Sequence, residues 1–276
     1  MVDGYQLAVM RQYAQMTATL RANIVDTVVR QFRASRDFRA ADAAVFAGRA
    51  APVVQSGQRQ MSTLTQVFLT LLIGYLANET TERIGQAIAA PAALALDFAR
   101  GLRGVDPAEV YRRPYKEVWY SLSQGKSFTQ AVTEGENRLR DIASTDVQLA
   151  KTHTAREVIK DDHRVVGYRR VLEGPYSCGM CVLASTQRYH KSQLMPIHPG
   201  CDCGIATLVG EHDPGQVIND QAVADVHAAV AERFGISDPA GRELDYRKLL
   251  ISHEHGEIGP VLARAQDEWT GPSEVQ

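Results

Sequence analysis

The sequence has four cysteines among 276 residues, and all four lie between positions 178 and 203. Cys178 and Cys181 form a C-x2-C pair, and Gly179 between them relieves the backbone of the tight turn that aims two thiolates at one ion. Further on, His198-Pro199-Gly200-Cys201-Asp202-Cys203 supplies three more donors. Alternation along an extended segment puts Cys201 and Cys203 on one side, with His198 on the turn before them. The five candidate ligands Cys178, Cys181, His198, Cys201 and Cys203 are one more than tetrahedral zinc takes. The expected set is Cys178, Cys181 and Cys203 with either His198 or Cys201. A sulfur-rich set selects zinc over magnesium or calcium, and with no open position the zinc is structural rather than catalytic. In a reducing compartment such clustering favours a metal over disulfides. Unmetallated thiols and a catalytic cysteine are the alternatives.

A metal has a physical task here. Residues 164–209 form a piece too small to bury much apolar surface, and a zinc clip supplies the missing folding free energy. The pattern predicts a strand over 164–172, around Val165, Val166, Tyr168 and Val171, and a second over 203–209, with a short helix over 181–189 between them.

The elements that carry this piece read as helices. Over residues 6–34 apolar side chains recur every three or four positions: Leu7, Met10, Tyr13, Ala14, Leu20, Ile24, Val28 and Phe32. Pro52 is expected to interrupt the next alanine-rich run, after which Met61, Leu64, Phe68, Leu71, Leu72 and Tyr75 rebuild a helical stripe. Two long helices packed side by side follow. Asp106-Pro107-Ala108-Glu109 and Ser127-Phe128-Thr129-Gln130 are helix-start signals, the second a capping box opening a long helix. Its stripe runs through Phe128, Val132, Leu139, Ile142 and Leu149, and the same heptads then land on Asp146, His153 and Arg156. The buried face therefore turns polar, and His153 and Arg156 either meet acceptors of the cysteine piece or emerge into solvent. Asp213-Pro214-Gly215-Gln216 caps another helix that ends at Gly235, and short helices and loops are expected from Ser237 on. The fold class is mainly α: a long-helix bundle with a small α+β zinc-knuckle module and a helical or loop C-terminal tail.

Other chemistry is weakly signalled. His253-Glu254-His255-Gly256-Glu257 lacks the H-E-x-x-H spacing and reads as a polar loop. The nucleophile elbow, the phosphate loop and the dinucleotide fingerprint do not occur. Arg103, Arg112, Arg113 and Lys116, interleaved with Tyr111 and Tyr115, read as a solvated helix face before they read as a phosphate-binding strip. A net charge of −2, 45% hydrophobic and 22% charged residues fit a globular protein without a global field for nucleic acid. No signal peptide is read at Met1-Val2-Asp3-Gly4, so a cytoplasmic protein is expected. The most apolar run, 67–77, is about half the ~20 residues a bilayer span needs. It reads as a buried helix segment, and any part left uncovered would be an interface patch.

The long helix, the segment Val166-Gly167-Tyr168-Arg169-Arg170, the pair Cys178-x2-Cys181 and the string Pro196-Ile197-His198-Pro199-Gly200-Cys201-Asp202-Cys203 resemble the head-morphogenesis proteins of tailed phages, those similar to the F protein of phage Mu. The resemblance covers roughly residues 127–210. The helices before it and the segment His255-Gly256-Glu257-Ile258-Gly259-Pro260-Val261-Leu262 look like the actinobacteriophage branch, whose members are labelled either minor capsid protein or capsid maturation protease. The resemblance implies an N-terminal helical region over 1–126, a head-morphogenesis-like helix plus zinc knuckle over 127–210 and a C-terminal helical tail over 211–276. It also implies a low-copy protein at the portal vertex, acting in procapsid assembly and in DNA packaging or ejection. Its partners would be the portal protein, the major capsid or scaffold protein and packaged DNA, with no membrane; its places would be the host cytoplasm during assembly and then the virion head. Under the protease label, Ser144, Ser177 and Ser185 are the available nucleophiles and His153, His163 and His190 the available bases, with no spacing that singles out a triad.

Overall fold

The computed structural model describes residues 4–172, 181, 184–185, 188–197, 201 and 203–212, and the backbone of 250–255 and 259–264. The protein is mainly helical with a small three-stranded antiparallel sheet. In chain order the helices are α1 (Gly4–Arg33), α2 (Ala40–Leu76), α3 (Thr81–Ala89), α4 (Pro107–Val110), α5 (Arg113–Ser123) and α6 (Phe128–Lys160). The strands β1 (Val165–Val171), β2 (Arg188–His190) and β3 (Gly204–Val209) follow, with a 3-10 turn at Lys191–Gln193, and then β4 (Leu250–His255) and β5 (Gly259–Arg264).

α1 and α2 are the two expected long helices, and they pack against each other and against α6. Their approach is close at Gly57, where a Cβ would lie 2.6 Å from the Ile24 side chain. At Gly135 a Cβ would meet the Pro114 carbonyl oxygen at 2.8 Å, so glycine is what lets α5 lie on α6. Phe38 takes a positive φ of 51° in the turn between α1 and α2 and is buried against Phe32, Tyr115 and Phe128. The indole Nε1 of Trp119 donates to its carbonyl at 2.7 Å.

Pro52 does not break the second helix: α2 runs through it for 37 residues. A mid-helix proline forfeits one hydrogen bond and costs about 3 kcal/mol. Here Ala47, Ala50, Ala51 and Val54 around it are buried in the core, and that burial holds the helix across the defect. The start signals are present as expected. Asp106 accepts from the Ala108 amide at 2.7 Å, and Ser127 and Gln130 exchange both bonds of the capping box.

Two hydrophobic cores lie along the helices. One joins Val28 and Phe32 of α1, Phe46 and Val54 of α2, Tyr115 of α5, and Leu139 and Ile142 of α6. The other joins Met10 and Tyr13, Leu69, Leu72 and Ile73, Ala155 and Ile159, and the sheet residues Val165, Tyr168, Ile205 and Val209. The apolar run 67–77 therefore fills the second core, with Leu69, Leu72 and Ile73 at most 1% exposed, and provides no open patch. The exposed large apolar side chains include Trp119, Tyr120 and Leu122 of α5 and Phe128 at the start of α6. Among the described residues, no helix is long and apolar enough to cross a membrane.

Both expected strands form, as β1 and β3, and the sheet order is β2-β1-β3. The helix expected over 181–189 ends earlier, because Arg188, Tyr189 and His190 pair with Arg169, Tyr168 and Gly167 as β2. Tyr189 stacks on Tyr168 with ring centroids 5.1 Å apart, which rewards the extended form. Gly167 is needed opposite them, since a Cβ there would sit 2.5 Å from the Tyr189 carbonyl oxygen.

The C-terminal segment differs from expectation. In place of a polar loop at 253–257 and a helical or loop tail, β4 and β5 form an antiparallel hairpin with His253 opposite Val261 and His255 opposite Gly259. Strand pairing satisfies the backbone groups that a loop would leave to water. The helix expected between Asp213 and Gly235 lies outside the described residues.

Candidate metal centre

Cys181, Cys201 and Cys203 come together and are all buried. The Cys181 and Cys201 sulfurs are 3.3 Å apart, those of Cys201 and Cys203 are 3.0 Å apart, and all three lie within 4.8 Å of one another. None of these contacts is a disulfide, whose sulfurs lie roughly 2.05 Å apart. Tetrahedral zinc with bonds of about 2.3 Å spaces its sulfurs roughly 3.8 Å apart. The three cysteines are thus close enough to bind a metal ion. Of the two donors left open for the fourth place, Cys201 is in the cluster. Cys178 and His198 lie outside the described residues.

Cys203 immediately precedes β3, and β3 pairs along β1 and packs against α2 and α6. The cluster has a small apolar shell of Ala184, Ile197 and Leu172. Two helices hold its backbone: Gln148 of α6 donates to the Cys203 carbonyl at 3.0 Å, and Arg21 of α1 donates to the Cys201 carbonyl at 3.3 Å. The long helix therefore does touch the cysteine piece. It does so through Gln148, while Arg156 is exposed and makes no hydrogen bond or ion pair with the knuckle among the described residues.

The electrostatics suit one anionic sulfur, on Cys203, while the hydrogen bond with Cys203 and burial push the Cys201 thiol up. Hydrogen bonds from Cys181 and Cys201 outweigh burial and hold the Cys203 thiol well below its ordinary range, with Arg170 and Lys151 helping. Arg170 is 2% exposed and Lys151 5%. One Arg170 nitrogen lies 3.6 Å from the Cys203 sulfur, and another donates to the Met195 carbonyl. The Lys151 ammonium sits 5.3 Å from the Tyr13 ring centre. In the sequence Lys151 gives no signal, and Arg170 stands only as the end of the segment Val166-Gly167-Tyr168-Arg169-Arg170.

His153 is mostly buried, with its Nε2 lacking a hydrogen-bond partner among the described residues. Burial, and then the nearby Arg156 charge, push its pKa below the ordinary histidine value of 6.5. The unfolded chain thus takes up a proton that the native imidazole resists. Its contribution to stability is full above about pH 6.5 and is lost as pH falls from there through the folded value. The slope of stability against pH between 5 and 7 should be shallower in His153→Gln than in the unaltered chain, by denaturant unfolding. Equal slopes would show that the ring is not desolvated.

Asp146 is the other buried polar feature. Its carboxylate receives Nε of Arg103 at 2.5 Å and the Tyr111 hydroxyl at 2.6 Å, and its backbone carbonyl receives Gln58 at 3.1 Å. Burial and the Asp146 charge raise the Tyr111 phenol well above its ordinary value, so it stays a donor. Arg103, Tyr111 and Tyr115 are buried, and Lys116 and Arg112 pair with Glu109. The basic and aromatic strip is therefore split between a buried network around Asp146 and surface ion pairs with Glu109. Of the serines and histidines weighed for hydrolysis, Ser185 is fully buried, and Nδ1 of exposed His190 accepts from the Ser192 amide at 3.3 Å to cap the 3-10 turn. Ser177 lies outside the described residues.

Comparisons with protein-family models, with curated proteins and with solved structures find no match to this chain.

Proposed function

We propose that this chain is a minor head protein of a tailed phage, a helical-bundle adaptor docked at the portal vertex and stapled by one structural zinc ion. The observation that carries the metal half is the buried cluster of Cys181, Cys201 and Cys203 beside two buried cations. Zinc fits this donor set because thiolates are soft and the site is enclosed. These three cysteines hold the ion, with Cys178 or His198 as the fourth ligand. The metal supplies folding free energy to a module with little core of its own. Gln148 and Arg21 fasten that module to α6 and α1.

The phage half rests on the resemblance. What supports it is that the two strings carrying the resemblance meet: Arg170 of the first touches Cys203 of the second. Rigid helices with buried cores make an adaptor, and the docking surface is the apolar group Trp119, Tyr120, Leu122 and Phe128. Coexpression with the portal protein should yield a complex that survives moderate salt on a sizing column, since salt screens charge contacts but not apolar burial. Tyr120→Asp should weaken it. Lack of association, together with capsid or scaffold cleavage abolished by one Ser or His substitution in this chain, would establish the maturation protease instead.

A further inference from the structure

Arg170 is a cation in an unusual place. It lies on β1, the middle strand, 2% exposed, with its guanidinium 5.7 Å from the Tyr168 ring centre. A buried guanidinium costs several kcal/mol unless a counter-charge meets it. No carboxylate among the described residues pairs with it. The group it meets is the Cys203 sulfur at 3.6 Å, while the Met195 carbonyl fixes its other arm.

We infer that Arg170 is a positioning residue of the metal centre, holding the Cys203 thiolate by an N–H···S hydrogen bond and cancelling the charge that the sulfurs carry into the core. The inference rests on the metal reading and adds a residue to it. Three thiolates around a divalent ion leave one negative charge, which Arg170 balances if the fourth ligand is neutral. A fourth thiolate would leave two, and Lys151 would then be the second counter-charge. Groups that hydrogen-bond a metal ligand commonly change metal affinity by about 10–100-fold when removed.

The test uses the full chain as wild type, Arg170→Met, Arg170→Gln and Arg170→Lys, loaded with zinc or with cobalt(II). Arg170→Met keeps most of the volume and loses the charge and the donor. It should weaken zinc binding about 10–100-fold in competition with a chelator. It should also move the sulfur-to-cobalt charge-transfer band to lower energy, because a thiolate without its donor is more electron-rich. Arg170→Lys should recover part of the affinity. An unmoved band and unchanged affinity in Arg170→Met, with metal bound by the wild type, would overturn the role of Arg170 and leave the metal reading standing. If Arg170→Met does not fold, Arg170→Gln decides, since it loses the charge, and unchanged zinc affinity there also overturns the role. A wild-type chain that binds neither zinc nor cobalt would instead overturn the metal reading itself.

Discussion

Removing the metal, by chelation or by Cys203→Ser, is expected to unfold the cysteine module while leaving the long helices intact. Structural zinc supplies on the order of 10 kcal/mol to small modules, more than a few buried apolar residues can replace. The shell of Ala184, Ile197 and Leu172 is such a remnant, and without the ion nothing bridges the three clustered sulfurs. The helices have their own cores around Phe32 and Leu139 and around Leu69 and Leu72. Chelation should therefore open residues 172–209 to proteolysis while far-ultraviolet circular dichroism keeps its helical signal. Unchanged cleavage kinetics after full metal removal would contradict this.

Asp146→Ala should cost about 3–5 kcal/mol, the range for a buried ion pair that loses one partner. The two side chains are 4% and 8% exposed for Arg103 and Asp146, so water cannot repair the loss. Tyr111, 1% exposed, would lose its acceptor as well. Replacing both charges, as Arg103→Met with Asp146→Leu, should recover a large part of that cost, because the desolvation of both ions disappears with them. Denaturant midpoints of the single and double variants decide it, and a single substitution costing under about 1 kcal/mol would mean that the pair is solvated.

Local signals were legible in the sequence and long-range ones were not. The capping box at Ser127 and Gln130, the Asp106 cap and the β-branched run of β1 each announce themselves within a few residues, because their physics is local. The gathering of Cys181 with Cys201 and Cys203 was legible because metal-ligating types cluster in sequence. Arg170 and Lys151 were not, since their partners lie far along the chain and an isolated cation reads as surface. The polar end of α6 was misplaced for a geometric reason. A strict heptad drifts about 20° per repeat against a 3.6-residue helix, so from Phe128 to Arg156 the phase error reaches about 80°. That carries Arg156 to the surface, and the polar residues that face inward are Thr145, Asp146, Gln148, Lys151, Thr152 and Thr154. Thr154 finds Ser62 of α2 at 2.8 Å. Pro52 shows the complementary effect, in which buried alanines override a local breaker.

The central claim is a structural metal held by buried thiolates, and its most direct test is elemental analysis of the purified, folded full chain by inductively coupled plasma mass spectrometry. About one zinc per chain is expected, and it should be lost together with resistance to proteolysis in Cys203→Ser. A folded chain of unchanged stability carrying no zinc or other transition metal would contradict the account.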